Sequence, residues 1–334
     1  ILLIGSDAGK GRTGLRPDTL ILASVNTKTG DTVMFSLPRN LSRTPFPEGS
    51  EGAKAWPYGF GPVGSSGQGT CGKYGELCWI NAVWRTAEET AKDYFPGDKD
   101  LGLTATEQAV QGALGLKVDY FIMLNLKGFE EFIDAIGGVT LDVKQRLPMG
   151  GNSEYKVAVH GYIEPGKNQH MDGFHALWYA RSRWSTDDYD RMRRQRCVIA
   201  AVTQQADPLT VVKNFNGIAK ALKHNLQTDI PVHELKAWGD LAMRVKDAKV
   251  RSLPFTNDVI TSANPDYDEI RRLVTKSLKP PKVKPTVSPT PGTDTGTGSD
   301  TGAGTGGETS PTKKPSKTKK PVDPTKAQDV GAVC

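Results

Sequence analysis

No stretch of the 334-residue chain approaches the roughly 20 consecutive apolar residues that cross a bilayer. No secretory leader of basic, apolar and small-residue segments opens it either. The chain starts without Met inside the apolar run Ile1, Leu2, Leu3, Ile4, which reads as a buried strand, so the expectation is a truncated or processed product. Histidine is scarce: the five residues are scattered, with no H-E-x-x-H pair and no triad partners, which argues against zinc hydrolysis and serine-type acyl transfer. Cysteine is equally sparse, four residues in all, and their spacing fits no zinc motif. Cys71 and Cys78 bracket a glycine-rich loop with little core of its own, so a stapling disulfide is expected there. Cys197 and Cys334 are then either a second pair or two free thiols.

A nucleotide P-loop is missing as well. Residues 5–11 read GSDAGKG after a strand, one residue short between the glycines, and Lys10 is followed by Gly11 instead of the Ser or Thr that would hold magnesium. Two G-x-G-x-x-G strings, at 59–64 and 67–72, neither follow a strand nor open a helix. They are loop composition.

The basic excess is unevenly placed. The chain has 43 Lys and Arg against 37 Asp and Glu, a net +6. Nine lysines and five acidic residues fall from Lys279 onward, leaving 34 basic and 32 acidic residues in the first 278. A nearly neutral body argues against a nucleic-acid binder, which carries a basic face. The segment 279–334 is rich in Pro, Thr, Gly and Lys; it buries too little apolar surface to offset its ordering entropy and is expected to be a disordered tail.

Residues 1–278 alternate apolar strand patterns with helical ones. Strands are predicted at 1–4, 19–26, 32–37, 120–125, 139–143 and 249–253, and helices near 80–94, 104–114, 127–136, 172–181, 188–205, 233–245 and 266–278. The proportion points to an α/β fold, a three-layer α/β/α sandwich around a mixed β-sheet. Lys28-Thr29-Gly30 is turn chemistry that makes a hairpin of the second and third strands.

Charged residues then cluster where this fold exposes strand and helix ends. Asp7 ends the first strand and Asp18 begins the second; if the two strands are neighbours, both carboxylates share one rim. Magnesium asks for one or two carboxylates plus substrate phosphates, although each aspartate alone is as readily a turn cap. Arg39 ends the third strand, and the hairpin register decides whether it returns to Asp18 or to the opposite rim; Arg16 is a further candidate. The densest signal is YARSRWSTDDYDRMRRQ at 179–195, with five arginines from Arg181 to Arg194. Aspartates at a helix start are ordinary caps, but so many cations need anions. Arg191 and Gln195 share a helix face at i, i+4, with Arg194 at i, i+3 from Arg191. Guanidinium forks grip phosphate oxygens in pairs, which suits a pyrophosphate; the plainer alternative is a surface network of Arg–Asp salt bridges.

The segments ILLIGSD, RPDTLILASVN, FSLPRNL, INAVW, DYFIMLNLKGFEEFIDAIGGVTLDV, MDGFHALWYARSR and DYDRMRRQ, in this order, resemble the LytR-CpsA-Psr proteins of the bacterial cell envelope. The resemblance spans roughly residues 1–278. It implies an α/β/α catalytic domain held at the extracellular face of the cytoplasmic membrane by an N-terminal helix that would lie upstream. It also implies transfer of a phosphorylated glycan from a polyprenyl-pyrophosphate carrier to peptidoglycan or an envelope glycoprotein, with Mg²⁺ or Mn²⁺ as cofactor and a greasy tunnel for the lipid. The family's metal-region aspartates fall on Asp7 and Asp18. Its phosphate-gripping residues fall on Arg39, Arg181, Arg183, Arg191 and Gln195, and its acidic residue on the following helix falls on Asp188. The chain departs from the family in having Asn40 for the usual Asp and Pro17 for a common Ser. The cysteine loop and the Pro/Thr tail resemble actinobacterial members. Rival readings are a lipid-pyrophosphate hydrolase using the same site, a nucleic-acid-binding regulator and a non-catalytic wall-binding protein.

Overall fold

The computed structural model describes residues 1–7, 15–61, 70–71, 76–152, 157–182, 188–207, 211, 218, 222, 224–279 and 323–334. The chain opens with β1 (Leu2–Ser6), β2 (Pro17–Val25) and β3 (Thr32–Leu37). The helix α1 (Glu51–Ala55) and the short strands β4 (Thr70–Cys71) and β5 (Glu76–Leu77) follow. Next come α2 (Val83–Thr90), α3 (Leu101–Leu114), β6 (Phe121–Leu124) and α4 (Leu126–Ala135). Four strands and helices continue the run: β7 (Val139–Val143), β8 (Leu147–Asn152), β9 (Val157–Ile163) and β10 (Gly166–Met171), then α5 (Gly173–Arg181) and α6 (Asp188–Gln205). The chain proceeds through β11 (Leu226–Thr228), α7 (Leu235–Asp247), β12 (Val250–Pro254) and α8 (Tyr267–Leu278). At its end lie β13 (Gln328–Asp329) and α9 (Val330–Val333).

Seven strands form the central sheet in the order β11-β6-β1-β2-β3-β12-β13. It is mixed: β1–β6 and β3–β12 run parallel, whereas β1–β2, β2–β3, β6–β11 and β12–β13 run antiparallel. Side chains on a strand alternate between faces, and the core follows that period. Leu20 and Leu22 of β2, with Val33, Phe35 and Leu37 of β3, enter the main core beside Ala105, Ala109 and Val110 of α3 and Leu273 of α8. Their neighbours Ile21, Ala23 and Met34 point the other way, to Ala200 of α6 and Val330 of α9. Helices therefore cover both faces, giving the expected sandwich. A further core joins α4, α5 and α6 to β7.

The hairpin of β2 and β3 pairs Leu20 with Leu37 and Val25 with Thr32. Asn26 closes its turn, the side-chain Oδ1 accepting from Lys28 N and Thr29 N at 2.9 and 3.1 Å. Gly30 sits at φ +80°, where a Cβ would fall 2.3 Å from the Arg244 carbonyl, so both backbone and packing require glycine there.

The short elements α1, β4, β5 and β11 carry no pattern that predicts them, and two larger features also differ from the sequence expectation. The β8–β9 hairpin and β10 carry runs such as MGGN and GKNQ without the apolar alternation that marks a strand. The second is the chain's end. Residues 324–334 belong to the same compact unit as residues 1–278, so the disordered tail expected over 279–334 is corrected at its last eleven positions. There β13 pairs Gln328 with Ser252, Val330 is 1% exposed, and Cys334 is bonded to Cys197. Residues 280–322 lie outside the described residues. Cys71 and Cys78 form the expected bridge, across the β4–β5 pair. Among the described residues no helix is long and apolar enough to cross a membrane.

Candidate active site

The ends of β1, β2 and β3 build the site's floor. Along β1–β2 the register pairs Gly5 with Thr19 but Ser6 with Pro17, so Asp18 is the extra residue of a β-bulge. Bulges twist a strand locally and re-aim a side chain at a sheet's rim. On its other side, the β2–β3 register, continued two residues past Leu20–Leu37, sets Asp18 opposite Arg39. There Arg39 Nη1 donates to Asp18 Oδ1 at 3.0 Å, both side chains partly exposed. The hairpin thus returns Arg39 to the rim of Asp18, the first of the two alternatives the sequence allowed.

Asp7 follows β1 at the same end of the sheet. Its Oδ1 accepts the Arg16 N–H at 3.1 Å, and its own N–H donates to Arg16 O at 3.4 Å. These two bonds close the base of the segment 8–14, whose own residues lie outside the description. Arg16 thereby serves Asp7 through its backbone.

The third contribution comes from far along the chain. Arg191, in the first turn of α6 and 3% exposed, donates from Nη2 to the Asp18 carbonyl oxygen at 3.3 Å across 173 residues. Two guanidinium groups therefore reach one bulged aspartate, Arg39 through its carboxylate and Arg191 through its main chain. Gln195, one turn further on α6, is half-buried.

The other predicted residues are placed as follows. Arg181 closes α5, its guanidinium 4.8 Å from the centre of the Trp178 ring, a cation–π contact. Arg183 falls outside the described residues. Asp188 begins α6; its side chain is not described.

Arg194 is the site residue that sequence reasoning undervalued. It is 2% exposed; its Nε donates to Tyr179 O at 2.7 Å and its Nη2 donates to Ser182 O. Burial pulls its guanidinium below the usual arginine range, with Asp190 the largest influence opposing that. Those two carbonyls belong to the last turn of α5 and the residue after it, which intrahelical bonding leaves without donors. Arg194 thus fastens the segment carrying Arg181 to the helix carrying Arg191. The signal in the sequence was its i, i+3 spacing from Arg191, which marked it as a neighbour without showing that it faces inward.

Chemically, this corner offers cations at a carboxylate-bearing strand end, an arrangement for holding an anion with several oxygens. Among the described residues no three His, Cys, Asp or Glu side chains form a metal-holding cluster.

A sequence model described as the LytR_cpsA_psr family matches residues 1–279. Biofilm regulatory protein A of Streptococcus mutans is 28% identical over 238 residues, 70% of this chain and 50% of that protein. TagU of Enterococcus faecalis, whose full name is polyisoprenyl-teichoic acid–peptidoglycan teichoic acid transferase, is 24% identical over 281 residues, 82% of this chain and 76% of that one. The matches thus span from half to about three quarters of these relatives' length. Among solved structures, protein gbs0355 of Streptococcus agalactiae superposes with a TM-score of 0.56 at 25% identity, covering 77% of this chain and 76% of that one.

Proposed function

The chain belongs to the LytR-CpsA-Psr family, and from that premise we propose that it moves a phosphorylated glycan from a polyprenyl-pyrophosphate carrier to a cell-wall acceptor, peptidoglycan or an envelope glycoprotein. The reaction class is that of the teichoic acid transferase relative. The observation that carries it is the convergence of Arg39 and Arg191 on Asp18, at the sheet end that also holds Asp7.

In phosphoryl transfer the protein's task is positioning and charge neutralisation. Arg39 and Arg191, joined by Arg181, Arg183 and Gln195, take the oxygens of the diphosphate. Paired N–H donors on arginine make this grip directional. An acceptor hydroxyl attacks the phosphorus nearest the sugar; a new P–O bond forms to the acceptor, the bridging P–O bond breaks, and polyprenyl phosphate leaves. The acceptor's proton passes to a carboxylate, a role we assign to Asp188.

A divalent ion fits the donor set in a limited way. Two carboxylates at one strand end match an ion that takes one or two from protein and the rest from phosphate and water, and one Asp18 oxygen is already engaged by Arg39. Asp7 and Asp18 would hold Mg²⁺ or Mn²⁺, which supplies further neutralisation of the diphosphate. The two disulfides favour an oxidising compartment, which supports placement at the outer face of the membrane, with an upstream helix as anchor.

The test is product analysis. The purified chain is incubated with a polyprenyl-pyrophosphate-linked glycan labelled in the sugar and with peptidoglycan. Label joined covalently to wall material, with polyprenyl phosphate released, supports the transferase reading. Free glycan phosphate with no wall-bound label would leave a hydrolase acting at the same site.

A further inference from the structure

The face of α6 turned away from Asp18 borders a cavity of about 280 Å³. At about 100° per residue, Arg196 lies roughly 140° round the helix from Arg191. The cavity is walled by Arg193 and Arg196 of α6, by Ser252 of β12 with Thr256 just beyond it, and by the chain's end through Gln328 and Cys334. The Cys197–Cys334 bridge ties this last wall to α6.

Among the described residues, two atoms of that wall, Arg196 Nη1 and Ser252 Oγ, have no hydrogen-bond partner. Arg196 is 6% exposed, and no described protein group accepts from its Nη1. Ser252 is 2% exposed, and its Oγ is likewise without a protein partner. A buried polar group without a partner costs about 1–3 kcal/mol, more when charged, and such a group calls for a specific reason. The neighbouring carboxylates do not supply one. Asp190 is paired with Arg193 at 3.6 Å, and Asp258 stands at the exposed rim without an ion pair to Arg196. Burial, and then Arg193, lower the Arg196 guanidinium to about 10, so it keeps its proton at neutral pH.

We propose that this cavity is a second oxyanion site, in which a phosphoryl group is taken by Arg196, Ser252 and Thr256. A guanidinium fork beside two hydroxyls offers donors from several directions, which suits a tetrahedral anion with three terminal oxygens better than a planar carboxylate with two. The phosphoryl group comes either from free phosphate or from a phosphodiester-linked polymer. The site is separate from the Asp18 corner and does not depend on the transferase reading.

Crystals of the full chain, disulfides intact, are soaked in tungstate, and its anomalous scattering is located. Calorimetry then follows inorganic phosphate and a glycerol-phosphate oligomer with wild type, Arg196→Met and Ser252→Ala. The expected result is tungstate within hydrogen-bond reach of Arg196 and Ser252, and at least tenfold weaker binding at this site in each variant. Tighter binding of the oligomer makes a polymer segment the occupant; tighter binding of phosphate makes it the free ion. Tungstate found beside Arg39 and Arg191 but absent here overturns the site. Should Arg196→Met fail to fold, unchanged affinities in Ser252→Ala overturn it equally. Wall-bound product is read in parallel on the wild-type chain, so absence of transfer there with phosphate held by Arg196 and Ser252 would sink the transferase reading and leave this site standing.

Discussion

Replacing Arg194 with methionine should slow transfer markedly in a protein that still folds. The substitution removes two donors from the carbonyls of Tyr179 and Ser182. Leaving each carbonyl unsatisfied costs about 1–3 kcal/mol, a gross loss of about 2–6 kcal/mol. Against that, an apolar side chain of similar volume avoids the desolvation of a buried charge, which recovers up to several kcal/mol. The net loss of stability is therefore about 1–3 kcal/mol, readable as a lower urea midpoint at unchanged slope. The segment bearing Arg181 is meanwhile released from α6. If one charge-assisted bond to the diphosphate is lost with it, at about 1.5–3 kcal/mol, transfer falls roughly ten- to a hundredfold. The assay is label transfer to peptidoglycan at a temperature where the variant is fully folded. A double-mutant cycle with Arg181→Ala separates this role from a merely structural one: the two losses should fall well short of adding. Full turnover in a folded Arg194→Met protein, or strictly additive losses, would refute the fastening role.

Two further outcomes follow from the packing. In the chain-entropy model, the Cys197–Cys334 bridge spans 137 residues and contributes up to about 5 kcal/mol, whereas the Cys71–Cys78 bridge spans 7 and contributes about 2 kcal/mol. Cys197→Ala with Cys334→Ser should therefore lower the urea midpoint more than Cys71→Ser with Cys78→Ser does, and the reverse order would contradict the account of the docked chain end. Glu107 on α3 has its carboxyl raised to about 7, first by burial and then by Asp229 and Asp98. The folded state then binds a proton more tightly than the unfolded one, so this group lowers stability as pH rises from the ordinary carboxylate value to about 7. Glu107→Gln should raise the melting temperature above pH 7 and flatten the pH dependence below it; an equal shift at every pH would show that the effect is not protonic.

Much of this architecture was legible before the coordinates. The hairpin turn at Lys28-Thr29-Gly30 and the apolar runs on either side gave β2 and β3, and their register then decided the Asp18–Arg39 pairing. Local pattern sufficed because the two residues are 21 apart and joined by one turn. Arg191 was picked out as an anion binder, but its meeting with Asp18 across 173 residues depends on how α6 lies over the sheet, which no local period reports. The bulge at Asp18 was not legible either, since one extra residue in a strand leaves no mark on composition. The same holds for the chain end. Gln328–Asp329 and Val330 follow a long Pro/Thr/Gly/Lys segment whose composition hides them, and their docking rests on a disulfide that sequence could only leave open.

The most direct test of the central claim is the affinity of a short-chain prenyl pyrophosphate for the wild-type chain and for Arg39→Gln and Arg191→Gln, measured by calorimetry at fixed salt. If Arg39 and Arg191 hold the diphosphate beside Asp18, each variant binds about ten- to a hundredfold more weakly, one charge-assisted bond being worth about 1.5–3 kcal/mol. Wild-type affinity in both folded variants would contradict it.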